Sequence, residues 1–180
     1  MSLLRMGWSK MHIFSYDQYF ITGLQQLLFF TGLEQSPDVV VFDPGGGTVY
    51  ITNSAECLRA GSSDTLTHFT QIRCYSLTRN ASLTEYFYVL DQVKQNKRIP
   101  LHTRSLSNRE RIIIEHYLAG LGKSAIARTM LLSEGAVSNS QLRALRKMNM
   151  KNIPLFLQVM RNWCVFRAKY ICESNITFLS

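Results

Sequence analysis

The stretch Leu106–Met148, LSNRERIIIEHYLAGLGKSAIARTMLLSEGAVSNSQLRALRKM, decides how the rest of the chain is read. Ser107 followed by Glu110 is a capping box, in which each side chain satisfies the other's backbone donor at a helix start. The helix it opens is expected to bury Ile112, Ile113 and Tyr117. His116 is read as a packed, hydrogen-bonded side chain, because no second ligand lies at metal spacing. Gly120-Leu121-Gly122 ends this helix. Lys123–Leu131 predicts a second one with Ile126, Ala127 and Met130 inward, and Ser133 caps a third. The inward stripe of the third is Val137, Ala144, Leu145 and Met148. Its outer face is Ser138, Asn139, Leu142, Arg143 and Arg146.

Short helices in this order, the last with a polar outer face, have the pattern of a helix-turn-helix. In that motif the last helix enters the major groove, where Ser and Asn can read base edges while Arg and Lys hold phosphates. The charge distribution agrees. Residues 1–100 carry eight Lys/Arg and eight Asp/Glu, so the net +8 lies entirely in residues 101–180. A basic surplus confined to one segment points to a polyanionic partner.

The segment resembles the DNA-binding domain of LuxR/FixJ-type regulators. The matching pieces are Leu106-Ser107-x-Arg109-Glu110, Leu118-Ala119-Gly120, Ile126-Ala127, Ser133, Val137 and Arg146-Lys147-Met148. Within it, AVSNSQLRALRKM is most similar to the capsule-regulating Rcs branch. The resemblance implies that Ser138, Asn139, Gln141 and Leu142 face the groove, with Arg143, Arg146, Lys147, Lys123 and Ser124 completing a surface for double-stranded DNA. Ala125 replaces the family's usual glutamate, Ser140 its usual histidine and Leu142 its usual lysine, so specificity is not carried over. Leu142 either touches a thymine methyl or marks weakened direct reading; the two stand even. Asn152-Ile153-Pro154 starts a fourth helix reaching about Arg167, with proline well placed in the first turn. By the resemblance this helix mediates dimerisation through Leu155, Val159, Met160 and Trp163, while plain core packing explains the same residues.

Upstream, Met11–Ser15, Val39–Phe42, Thr48–Thr52 and Ile72–Leu77 predict strands. Helices are expected from Asp17, with Phe20, Leu24, Leu27 and Leu28 on one face, and over Ser82–Gln95. The alternation argues for an α/β layer with a parallel sheet. HIFSYDQYFITGL, PDVVVFDPGGG and CYSLTRNASLTEYFYVLDQVKQNKRIP resemble pieces of a response-regulator receiver domain, which would make Asp43 the phosphoacceptor. The departures argue against that chemistry. A phosphoacceptor works through Mg²⁺ and needs several oxygen ligands. Tyr16 fills one of the acidic-pair positions, leaving Asp17, and Thr78 stands at the lysine position. The spacing from Asp17 to Asp43 also lacks a strand–helix unit. Asp43 is therefore a vestigial phosphoacceptor candidate that more simply builds a turn before Pro44. Gly45–Gly47 fits neither a P-loop nor a dinucleotide fingerprint, since no lysine follows and a β-branched run does.

The expected organisation is a shortened, degenerate receiver-like α/β domain over 1–96, a basic linker over 97–105, an all-α four-helix LuxR-type domain over 106–170 and a tail over 171–180. The expected function is a sequence-specific transcription regulator that is not phosphorylated. It would act as a homodimer, or as an auxiliary subunit in a heterodimer with a LuxR-type response regulator, with RNA polymerase as a further partner. Three alternatives remain. A sigma-factor-like module shares the LSxRER…GxxxxxIA pattern but needs a helical upstream region. A phosphotransfer role would run through Asp43, and a protein-interaction module would show no salt-sensitive affinity for duplex DNA.

No enzyme activity, cofactor or metal is expected, and the singly spaced Cys57, Cys74, Cys164 and Cys172 read as reduced thiols. No apolar run approaches the ~18 residues that span a bilayer, and the first residues lack a signal peptide's apolar core. A bacterial cytoplasmic location, on the nucleoid when bound to DNA, is the expectation.

Overall fold

The computed structural model describes residues 11–32, 38–59, 64–95 and 97–177, with side chains described as far as Lys169. Its four-stranded sheet runs β1 (His12–Ser15), β2 (Val39–Asp43), β3 (Thr48–Asn53), β4 (Tyr75–Thr78), in that spatial order. Helices α1 (Gln18–Thr31), α2 (Ser54–Arg59), α3 (Thr65–Gln71) and α4 (Leu83–Lys94) accompany it. Four more follow: α5 (Asn108–Leu118), α6 (Lys123–Thr129), α7 (Glu134–Lys147) and α8 (Ile153–Thr177). The expected class, an α/β unit followed by a helical one, is the observed one.

The sheet within it corrects one expectation. Only β1 and β2 are parallel; β2–β3 and β3–β4 are antiparallel, so the sheet is mixed rather than parallel. The reason is connection length. Only residues 44–47 separate β2 from β3, whereas a parallel crossover needs roughly a dozen residues or more. Gly45 and Gly47, at φ 82° and 80°, take the left-handed conformations that this reversal requires. The order also differs from the 2-1-3-4-5 arrangement of doubly wound folds of the flavodoxin kind. Helices α2 and α3 were not anticipated, being too short for a readable stripe. Their caps were nonetheless in the sequence, since Asn53 and Asp64 accept the backbone N–H of Glu56 and Thr67 at 2.8 and 2.9 Å.

The pleat divides the sheet's buried side chains between two cores. Val39, Val41, Val49 and Ile51 face Leu24 and Leu28 of α1 and Tyr86, Val89, Leu90 and Val93 of α4. Val40, Phe42 and Tyr50 point the other way and meet α8, through Phe156, Val159, Met160, Trp163 and Phe166. The C-terminal helix therefore supplies the second layer over Val40, Phe42 and Tyr50, which lie more than a hundred residues earlier than Phe156. Aromatic rings mark the contact, with Trp163 edge-on to Phe42 at 5.0 Å and to Phe69 at 5.4 Å. Ala144 and Leu145 of α7, with Met148 at its C-cap, join the same core, which ties the two halves together. Gly46 lets α8 come close: a Cβ there would lie 2.5 Å from Leu155 Cδ1. Beside it, Asn162 Nδ2 donates to the Pro44 carbonyl at 2.7 Å. The triple glycine is thus a seat for α8. This helix runs to Thr177, past the expected end near Arg167 and through most of the expected tail, and no helix among the described residues is long and apolar enough to cross a membrane.

Two histidines lie in the shared core. Trp163 Nε1 donates to His68 Nδ1 at 3.1 Å, so that nitrogen must be unprotonated, and His68 Nε2 meets the Cys57 carbonyl at 3.2 Å. His102 packs edge-on to Tyr50 and Phe69, with Nδ1 3.2 Å from the Ile72 carbonyl. Burial pushes both imidazoles down, His102 to about 4, against the smaller upward pull of their carbonyl partners.

Two outcomes are expected. Trp163→Ala should cost about 3–5 kcal/mol, and intrinsic fluorescence and circular dichroism should still report one coincident denaturant transition for both halves. Separate transitions would contradict the shared core. Because both folded-state histidine values lie below the unfolded one, stability should be fully present above about pH 6.5 and fall as the pH drops towards 4. The loss is on the order of 1–3 kcal/mol, readable as a declining Tm. The carboxylates held low, such as Glu110, add their own loss only below about pH 4.5. A Tm that is flat from pH 6.5 to 4.5 would refute the histidine account.

Candidate nucleic-acid interface

Helix α7 is built from two directions. Its first half packs in a small core of Ile113, Ile126, Ala127 and Val137, with Tyr117, Leu121, Met130 and Leu132 against it. Its second half packs through Ala144, Leu145 and Met148 into the core beneath the sheet. Ser133 caps it, accepting the Ala136 N–H at 3.1 Å. Leu131 closes the turn before it at φ 52°, an uncommon conformation for a leucine, and its side chain is 93% exposed. In α5 the inward pair is Ile113 and Ile114, while Ile112 is only half-buried, one position off the expected register.

The positions left outward on α7 are the ones open to a partner. Asn139, Leu142, Arg143 and Arg146 are exposed, and Ser138 and Gln141 are half-buried. Asn139, Leu142 and Arg146 follow one another at three- and four-residue spacing, so they form one stripe along the helix. Gln141 is oriented from beneath, because the Tyr117 hydroxyl donates to its Oε1 at 2.7 Å. That contact leaves the amide N–H₂ as the group able to donate elsewhere.

Several of the expected phosphate-binding residues already have protein partners. Lys147 Nζ lies 2.7 Å from Glu110 Oε2, and Arg143 Nε lies 3.7 Å from Glu110 Oε1. Glu110 is 3% exposed and also accepts the Ser107 N–H at 2.8 Å, closing the capping box. Burial alone would raise this carboxyl. Lys147, with the Ser107 backbone and hydroxyl, holds it below its usual range instead. One carboxylate therefore caps α5 and anchors the end of α7. Lys123 and Ser124 meet Glu134, with Lys123 Nζ 3.3 Å from Glu134 Oε2. They join the starts of α6 and α7. Arg146 has no carboxylate partner among the described residues.

The four residues assigned to dimerisation are placed elsewhere. Val159, Met160 and Trp163 are 2%, 3% and 1% exposed within the chain's own core, and Leu155 sits half-buried over Gly46. Of the two readings, the contacts seen are those of core packing.

The acidic cluster at the ends of β1 and β2 contains a residue the sequence reasoning missed. Asp43 is 1% exposed, accepts from the Ser15 hydroxyl at 2.8 Å and from the Gly45 N–H at 2.9 Å, and lies 3.6 Å from Arg79. Arg79 also pairs with Asp17, which caps α1 by accepting from the Tyr19 and Phe20 N–H groups. The Phe20 N–H first, then Arg79, hold the Asp17 carboxyl below its usual value. A guanidinium thus lies between the two carboxylates, and a single arginine after β4 gave no sequence signal for it. Among the described residues no group of three or more His, Cys, Asp or Glu is placed to hold a metal. Cys57, Cys74 and Cys164 are free thiols; Cys172 lies outside the residues whose side chains are described.

A capped, doubly anchored helix presenting Asn, Leu and Arg to solvent, preceded by a short helix and a tight turn, defines a helix-turn-helix unit. The family of bacterial regulatory proteins known as the luxR family matches residues 104–160. The match makes that segment similar to the LuxR-type DNA-binding domain, whose family comprises DNA-binding regulators rather than enzymes. No curated protein and no solved structure matches the chain.

Proposed function

We propose that the chain is a sequence-specific transcription regulator that reads DNA through α7, with Asn139, Leu142 and the free edge of Gln141 towards the bases. The observation carrying this reading is the solvent-facing stripe of α7 within the segment matched as LuxR-type. Arg146 is the foremost phosphate contact, since it has no carboxylate to compete for it. Arg143, Lys147, Lys123 and Ser124 act mainly by orienting α5, α6 and α7, and contribute to phosphates through the donors their partners leave over. Ser138 supports the groove face from its half-buried position.

The N-terminal unit acts without phosphorylation. Supporting this, Arg79 already pairs with both Asp17 and Asp43, and Asp43 is almost wholly covered. The protein pairs on DNA with a second copy, or with a response regulator of LuxR type that is itself phosphorylation-competent. Because Val159, Met160 and Trp163 are committed to the sheet, that pairing uses a surface other than the buried face of α8. The bacterial cytoplasm is the compartment this function requires.

Duplex binding should weaken steeply with salt, with a log–log slope of about −0.9 for each phosphate neutralised. In titrations against a preferred and a random duplex, Asn139→Ala should erode discrimination by about 1–3 kcal/mol, while Arg146→Ala should weaken both duplexes alike. Unchanged discrimination in Asn139→Ala would misplace the reading face. Intact mass after incubation with a small phosphodonor and Mg²⁺ should show no adduct; a stoichiometric phosphoryl group on Asp43 would sink the unphosphorylated reading.

A further inference from the structure

Between the α/β unit and the helix-turn-helix unit lies a cleft of about 410 Å³, within the range of about 300–1,000 Å³ usual for small-molecule sites. Three guanidinium groups line it, each from a different segment. Arg59 comes from the end of α2, Arg73 from the chain ahead of β4, and Arg111 from α5. Ser105 of the linker adds a hydroxyl, and Leu101 and Leu106 give one side an apolar wall.

The charges here are unequally compensated. Arg59 is held by Glu56 at 2.9 Å. Arg111 is shared between Glu115 at 3.3 Å and Asp64 at 3.9 Å, with Thr67 Oγ1 accepting from it at 2.7 Å. These pairs are partly exposed and therefore weak, so a more highly charged acceptor can compete for the arginines. The Arg73 guanidinium forms no ion pair among the described residues, although Glu56 Oε2 accepts the Arg73 backbone N–H at 3.4 Å; its Nη1 donates to the Ile99 carbonyl at 3.3 Å. That contact and a backbone bridge to Leu101 fix it beside the linker. The result is a positioned guanidinium with no ion pair of its own, near the Glu56 carboxylate that holds Arg59, and flanked by two guanidinium groups that can be recruited. Planar forks arriving from several directions suit the three terminal oxygens of a phosphate monoester better than the single plane of a carboxylate.

We infer that this cleft binds a small phosphate monoester of nucleotide size. Its phosphate sits on Arg73, with Arg59, Arg111 and Ser105 around it, and its less polar body lies against Leu101 and Leu106. The contacts come from both halves of the chain, so the ligand favours their packed arrangement and raises the unfolding temperature. The site is separate from the α7 face, and its test does not depend on DNA binding.

The decisive experiment is isothermal titration of the full chain with inorganic phosphate, adenosine monophosphate and uridine monophosphate at fixed ionic strength. Adenosine and citrate serve as comparisons. Saturable binding of at least one of the two nucleotides, absent with adenosine and weaker with citrate, is expected. Arg73→Gln and, separately, the more exposed Arg59→Gln should each weaken it by about tenfold or more, with Arg146→Ala unchanged. Thermal unfolding of each variant without ligand shows whether it is folded, and if Arg73→Gln is not, Arg59→Gln decides. No saturable heat with any phosphate compound, or equal affinity in the folded cleft variants, would overturn the proposal. So would citrate binding as tightly as the nucleotides, or loss of binding in Arg146→Ala alone, which would place the anion on the DNA-facing side.

Discussion

Trp163 is where the two halves of the chain become one molecule. Its indole is almost fully buried against Phe42 of the sheet and Phe69 of α3, and its N–H is satisfied only by the unprotonated Nδ1 of His68. A buried indole N–H left without an acceptor is costly, so this bond fixes the rotation and depth at which α8 lies on the sheet. Phe156, Val159, Met160 and Phe166 fall into place along the same face. Without α8, the sheet surface formed by Val40, Phe42 and Tyr50 would face water. Without the sheet, α8 would carry an uncovered aromatic stripe.

Helix α7 inherits its rigidity from that arrangement. Its first half is held by the local core of the helix-turn-helix, and its second half rests on the core that α8 and the sheet complete. Glu110 adds a polar anchor, joining the cap of α5 to Lys147 at the end of α7. Cations that look like nucleic-acid contacts are thus partly used to position the helix. The arrangement leaves Asn139, Leu142 and Arg146 outward and separately addressable. The cleft at Arg59, Arg73 and Arg111 lies along the seam between the halves, so a ligand held there would act on the packing that steadies α7.

Much of this was legible in advance because the signals are local. The capping box Ser107–Glu110 and the cap at Ser133 form as the sequence predicts, and the expected helix from Ser82 forms as well, with a Ser82–Glu85 box that the structure adds. Val39–Phe42 reads as a strand buried on both faces, and it is one. The direction of β3 was also available, because residues 44–47 are too few for a crossover, whereas the alternation of strands and helices by itself points to a parallel sheet. The short helices α2 and α3 left only their Asn53 and Asp64 caps as clues.

By itself the sequence determined the helical segments other than α2 and α3, the basic surplus of residues 101–180 and which residues could form an α7 reading face, because periodicity and capping act over a few residues and net charge is a property of composition. Only the tertiary structure decided which of those residues are free. The apolar face of α8 could have met a second copy, a partner or its own chain, and hydrophobic pattern does not name the surface that covers it. Arg79 between Asp17 and Asp43, Lys147 on Glu110 and Gly46 beneath Leu155 are contacts between residues distant in the chain. Such contacts are fixed by three-dimensional closure, which no local pattern encodes.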